Sequence, residues 1–145
     1  MSENQYGFKY DEYGNTKEIL VFTSGIEATS LRFVNKGTAF SEHERAGLGL
    51  QAVLPPSVRS IEGQVYNSRR IVDEKQNDLE KYIFIRSMFD RNVTLTDALI
   101  RSDLEKFMGL IYVPTVSDAV KKYSTMFRRP GGLHFYPDNI DMAED

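Results

Sequence analysis

Hydrophobic positions along the chain change period near residue 41. Before it, Phe8-Lys-Tyr-Asp-Glu-Tyr-Gly-Asn-Thr-Lys-Glu-Ile-Leu-Val-Phe22 places aromatic and β-branched residues around a Tyr13-Gly-Asn-Thr16 turn signal. Such a segment predicts a short hairpin or an extended arm. A loosely held chain terminus is the equally plain alternative. After residue 41 the signals are helical. Ser41-Glu-His-Glu44 has the capping-box pattern, in which the serine hydroxyl accepts a backbone N–H three residues on and the glutamate reaches back. Gly47, Gly49 and Pro55-Pro56 keep that helix short. A second helix is predicted over about Ile61 to Asp73, capped by Ser60. Its apolar face (Ile61, Val65, Val72) is thin, as for a helix at the surface.

Asn77-Asp-Leu-Glu80 is another capping signature. The Leu79–Phe89 stretch that follows is apolar on nearly every side, which predicts burial all round, in a core or a subunit interface. Thr94 and Ser102 are the expected caps of two further helices. In the second, Leu104, Phe107, Met108 and Ile111 form one helical face, and Pro114 ends it. Thr115 or Ser117 opens a last helix with Val116, Ala119, Val120, Tyr123 and Phe127 in helical register. Arg128-Arg-Pro-Gly-Gly132 breaks it. Leu133-His-Phe-Tyr136 has the pattern of a strand. A lone strand has no partner of its own, so it either returns to the N-terminal hairpin or leads into a longer chain. The fold class is mainly α. The predicted organisation is an N-terminal arm over 1–35, a helical domain over 36–130 and the start of an α/β domain over 131–145.

Composition narrows the function classes. The chain has 145 residues, enough for one domain with a real core. It has no cysteine, which excludes a disulfide framework, a thiolate nucleophile and Cys-ligated metal. Only His43 and His134 could serve a histidine metal site. The net charge is −3, with 18 basic and 21 acidic residues, which argues against nucleic acid as a partner. No apolar run approaches the ~18 residues of a membrane span, and no basic and apolar leader opens the chain, so the expected compartment is the cytoplasm.

Read from residue types alone, no chemistry stands out. Gly47-Leu-Gly49 lacks the third glycine and the preceding strand of a dinucleotide loop. Asp73-Glu74 and Glu144-Asp145 fit solvated charges. Arg69-Arg70 and Arg128-Arg129 could grip a carboxylate or phosphate, but a solvated face or a helix C-terminus accounts for both. Tyr112 sits where an apolar helix meets Pro114, and from there a side chain can enter a cleft. On spacing alone, a core tyrosine with its hydroxyl tied to a backbone carbonyl is the simpler assignment.

Three stretches in register change this. They are Asn35-Lys-Gly-Thr-Ala-Phe40 with Glu44-Arg45 and Leu48-Gly-Leu-Gln-Ala-Val-Leu-Pro-Pro56; Leu79-Glu-Lys-Tyr-Ile-Phe-Ile85 running to Asp90-Arg-Asn92; and Ile111-Tyr-Val-Pro-Thr-Val116 closing with Phe127-Arg-Arg-Pro-Gly-Gly-Leu133. Over about residues 32–137 they resemble the N-terminal region of the long-form malic enzymes. The related malolactic enzymes share some of them, and the Arg-Arg-Pro-Gly-Gly-Leu run leans toward malic enzyme.

The resemblance implies an oxidoreductase that oxidises malate at C2 with NAD or NADP and then decarboxylates the bound oxaloacetate to pyruvate. A Mg or Mn ion would polarise the C2 oxygen and stabilise the enolate. In the family, the tyrosine of the Tyr-x-Pro-x-Val motif is the general acid that protonates C3, and Tyr112 occupies that position. A phenol, with a reference pKa of about 10, is protonated at neutral pH and can donate. The family's recharging lysine, metal carboxylates, substrate arginine and NAD domain fall beyond Asp145. This chain alone is therefore expected to bind neither metal nor cofactor, and to be an inactive N-terminal fragment that contributes dimer or tetramer contacts. The family's Tyr-Thr-Pro-Thr-Val-Gly is here Tyr112-Val-Pro-Thr-Val-Ser117. Of the residues that build a fumarate-activation site in some animal members, Arg91 matches, while Arg59 and Asn67 do not. Fumarate activation is not expected, and Arg91 is assigned to an interhelical or intersubunit salt bridge. The alternatives are a malolactic enzyme fragment and a stand-alone helical oligomerisation module.

Overall fold

A computed structural model describes residues 5–126 and Pro137. Among them the chain forms one antiparallel hairpin and seven α-helices: β1 (Tyr6–Tyr10), β2 (Thr16–Val21), α1 (Gly25–Ser30), α2 (Glu42–Gly47), α3 (Ile61–Asp73), α4 (Asp78–Phe89), α5 (Val93–Arg101), α6 (Leu104–Ile111) and α7 (Thr115–Lys121). The mainly helical class holds, and the N-terminal segment is a hairpin. Its strands pair Phe8 with Ile19 and Lys9 with Glu18. The turn is set by Asp11, whose carboxylate accepts the N–H groups of Tyr13 (2.9 Å) and Asn15 (2.8 Å). Gly14, at φ +82°, supplies the left-handed residue that closes it. The expected strand over 133–136 lies outside the described residues.

Two apolar clusters hold the chain. The first joins Ala28, Val34, Phe40 and Leu50, with Tyr6 and Val21 of the hairpin packed against it. Packing therefore runs continuously across residue 35. The second joins Val72, Ile85, Met88, Leu95, Leu99, Phe107 and Leu110. Its centre is α4, which packs against α3, α5, α6 and α7. No residue from Leu79 to Phe89 is exposed, as a stretch apolar on nearly every side predicts. Burial is complete only at Ile85 and Met88. The α3 helix is held more deeply than its thin apolar face suggests: Val72 is fully buried, and the buried Ser68 hydroxyl sits 3.7 Å from the Met88 sulfur.

Helix starts follow local side-chain chemistry. Ser41 and Glu44 form the predicted capping box, and Ser60 and Asn77 cap α3 and α4 as expected. The caps expected at Thr94 and Ser102 are instead Asn92 and Asp103. Asn92 Oδ1 accepts the Leu95 N–H at 2.9 Å, and Asp103 Oδ1 accepts the Lys106 N–H at 3.3 Å. Asparagine caps more strongly than threonine, whereas Asp103 and Ser102 are comparable caps and the start of α6 one position later selects the aspartate. The Ser102 hydroxyl closes α5 instead, donating to the Leu99 carbonyl at 2.7 Å. Two charges expected to be solvated are tied down. Asp73 pairs with Lys106, and Arg69 bridges to Asp103 at 2.9 Å, which joins α3 to the start of α6.

The first cluster is stitched by a residue with no obvious sequence signal. Arg45 is only 4% exposed, and its guanidinium donates to the carbonyls of Phe40 (2.9 Å), Pro55 (2.6 Å), Thr38 (3.0 Å) and Ser57 (3.4 Å). The forked donor set thus ties together carbonyls that precede and follow α2. Beside it, Glu44 pairs with Lys36 and caps α2. Burial pushes its carboxyl up, but the hydrogen bonds from Lys36 and Ser41 outweigh burial and hold it below the ordinary value of 4.5. A group with a lowered folded pKa stabilises above the unfolded value and loses that contribution as pH falls through the folded one. We expect the Tm difference between wild type and Glu44→Gln to be constant above about pH 5.5 and to shrink as pH falls below the ordinary carboxylate value of about 4.3. A difference that grows on acidification would contradict this assignment.

On α6 the buried residues are Phe107 and Leu110, whereas Leu104 is 58% exposed and Met108 is exposed too. The inward face is therefore rotated from the one expected. We expect Phe107→Ala to cost about 3–5 kcal/mol in urea unfolding, and Leu104→Ala under ~1 kcal/mol. Equal costs would restore the face read from periodicity.

Candidate functional site

The α6–α7 corner is built from the inside out. Phe107 and Leu110 anchor α6 in the second cluster, and Thr115 and Ala119 bury the inner side of α7. Between the helices the chain leaves helical geometry at Tyr112, which is extended (φ −126°, ψ −169°), and Pro114 follows a cis peptide bond. Proline also removes the N–H that would continue the α6 ladder. The corner is nonetheless closed by hydrogen bonds on both sides. The Tyr112 N–H donates to the Met108 carbonyl (3.1 Å), and the Tyr112 carbonyl accepts the Val116 N–H (3.0 Å). The Thr115 hydroxyl donates back to the Gly109 carbonyl at 3.1 Å.

Tyr112 itself faces outward. It is 65% exposed, and among the described residues no hydrogen bond engages its hydroxyl. The core tyrosine with a tethered hydroxyl, favoured on spacing alone, is thus not what forms. A fixed backbone carries a phenol that makes no hydrogen bond among the described residues. Leu104, Met108 and Val113 add exposed apolar surface on the same two elements. A groove of about 340 Å³ lies among Tyr82, Ile85, Phe89, Ile100, Ile111 and Val116. The neighbours of Tyr112 line it, but Tyr112 does not, so the phenol and this groove are separate features.

Arg91 lies elsewhere, between α4 and α5. Its guanidinium folds back on α4, donating to the Ser87 carbonyl (3.1 Å) and hydroxyl (3.2 Å). It forms no interhelical salt bridge among the described residues, and no contact joins it to Tyr112. The ion pair at that end of α4 is Arg86–Asp90 at 3.3 Å. Arg128 and Arg129 lie outside the described residues. Among the described residues no group of three or more His, Asp or Glu could hold a metal ion, and no helix is long and apolar enough to cross a membrane.

The corner sits inside a segment with known relatives. Residues 89–145 match the family model for the malic enzyme N-terminal domain. Similarity reaches well beyond that segment. The NAD-dependent malic enzyme 3 of Bacillus subtilis (strain 168) is 36% identical over 127 residues, which cover 88% of this chain and 22% of that protein. The chain belongs with the N-terminal domain of the malic enzymes. The mitochondrial NADP-dependent malic enzyme of Homo sapiens is 38% identical over 120 residues, covering 83% of this chain and 20% of that protein. The malolactic enzyme of Leuconostoc mesenteroides is 36% identical over 123 residues, covering 85% and 22%. The chain thus spans about a fifth of the length of these relatives.

Thr115 is legible in the sequence only as a helix start, because the carbonyl it reaches lies six positions back across a proline. Since the Tyr112 side chain is exposed and its hydroxyl unengaged, we expect Tyr112→Phe to change unfolding free energy by less than ~0.5 kcal/mol. A loss above ~1 kcal/mol, the usual worth of a satisfied hydrogen bond, would show that the hydroxyl is a structural donor.

Proposed function

We propose that this chain is the N-terminal part of an NAD- or NADP-dependent malic enzyme, and that Tyr112 is the general acid of its last step. The observation that supports this best is the corner itself. In a chain related to malic enzymes, the tyrosine of the Tyr-Val-Pro-Thr-Val motif is held by its backbone at 3.0–3.1 Å while its phenol is exposed and, among the described residues, unengaged. A core tyrosine could not reach a substrate, and a tethered hydroxyl would have its proton committed.

The reading is chemically simple. Malate gives up hydride from C2 to the nucleotide and its C2 hydroxyl proton to a base that lies beyond the described residues, and then loses CO2, which leaves the enolate of pyruvate. Tyr112 Oη donates its proton to C3: the electron pair of the enolate double bond forms the new C–H bond as the C2 oxygen returns to a carbonyl. The resulting phenolate needs a proton from a partner, a role that the resemblance assigns to a lysine beyond this chain. The described residues offer no metal cluster, so no step is assigned to a metal they would hold. Dependence on Mg or Mn, a cytoplasmic location and assembly into a homo-oligomer belong to the same proposal, with Arg91, exposed at the end of α4, as a candidate subunit contact.

The test uses the intact protein from the source cells, whose mass first establishes how far the polypeptide extends. With malate, Mn and NAD or NADP, we expect pyruvate and reduced nucleotide, and a loss of at least ~100-fold in pyruvate formation for Tyr112→Phe. Near-normal turnover in that variant would remove Tyr112 from the mechanism. The similarity to a malolactic enzyme supports a second reading, which product analysis separates: lactate without net reduced nucleotide in place of pyruvate.

A further inference from the structure

We propose that Thr115 is a positioning residue for Tyr112, acting through the hydrogen bond from its hydroxyl to the Gly109 carbonyl. This rests on the reading of Tyr112 as a general acid. The last four carbonyls of an α-helix have no partner within the helix. In α6 the last regular rung is Tyr112 N–H to Met108. The next would be Val113 N–H to Gly109, and it cannot form, because the chain has already left the helix at Tyr112. The Thr115 hydroxyl takes that place at 3.1 Å. One position further on, Pro114 has no N–H to offer.

Thr115 is suited to this by position. It is 5% exposed, it is the first residue of α7, and its hydroxyl does not cap its own helix. Its bond therefore ties the start of α7 to the end of α6, across the residue that carries the phenol. The Val116 N–H then holds the Tyr112 carbonyl at 3.0 Å from the α7 side. Since the phenol makes no hydrogen bond among the described residues, its direction depends on this backbone frame. A proton donor works only when its oxygen is placed against the accepting carbon, and displacement by about 1 Å can cost roughly 100-fold in rate. Thr115 touches no reacting atom and acts only through that frame.

The test compares Thr115→Val, Thr115→Ser and Tyr112→Phe in the intact enzyme. One readout isolates the proton step: incorporation of deuterium from D2O into the methyl group of pyruvate. The KM for malate and the thermal transition are followed in parallel. We expect Thr115→Val, which keeps the shape and loses the donor, to slow methyl exchange about tenfold or more with KM within about twofold. Thr115→Ser, which keeps the donor, should stay within about twofold of wild type. Unchanged exchange in Thr115→Val, with exchange lost in Tyr112→Phe, would overturn the positioning role and leave Tyr112 in place. Exchange retained in Tyr112→Phe would instead overturn the reading on which it rests. Should Thr115→Val lose its cooperative transition, a folded Thr115→Ala, which also lacks the donor, decides: slowed exchange with Thr115→Ser near wild type supports the role, and exchange at the wild-type rate overturns it.

Discussion

The structure depends on a helix that is packed on nearly every side. From Leu79 to Phe89, α4 exposes no residue, and it gains its stability from the four helices around it. Its Ile85 and Met88 meet Val72 of α3, Leu95 and Leu99 of α5, and Phe107 and Leu110 of α6 in one cluster. A helix of this length is marginal alone in water and is held by such packing. Because α6 and α7 both rest on α4, the corner between them is supported by the same core.

That support explains how an exposed residue can be well placed. Tyr112 has its backbone N–H and carbonyl both engaged, and its exposed side chain makes no hydrogen bond among the described residues. Residues that act on a substrate are commonly carried on short connections between rigid elements. Here the connection is the three residues from Tyr112 to Pro114. The first apolar cluster takes no direct part in this corner. Beside it, Arg45 donates to the carbonyls of Thr38, Phe40, Pro55 and Ser57 and so links the chain before α2 to the chain after it.

Legibility in the sequence followed the range of the interaction. Ser41, Ser60 and Asn77 cap helices through atoms three residues away, so their pattern was readable. The α6 face is ambiguous in the sequence because Leu104, Met108, Phe107 and Leu110 give the helix two adjacent apolar sides, and periodicity does not say which one meets a neighbour. Arg45 shows the same limit more sharply. Its four acceptors are spread over residues 38–57, and nothing within one turn of α2 signals its burial. The motif around Tyr112 was readable as a resemblance. Its exposed phenol was not, since exposure depends on how α6 and α7 turn on α4.

The most direct test of the central claim is a crystal structure of the intact protein with malate and nucleotide bound. The account predicts the Tyr112 hydroxyl oxygen within about 3–3.5 Å of the substrate C3 carbon, the range of a near-attack geometry. A bound substrate with Tyr112 turned away from it, or covered by a subunit contact, would contradict the claim.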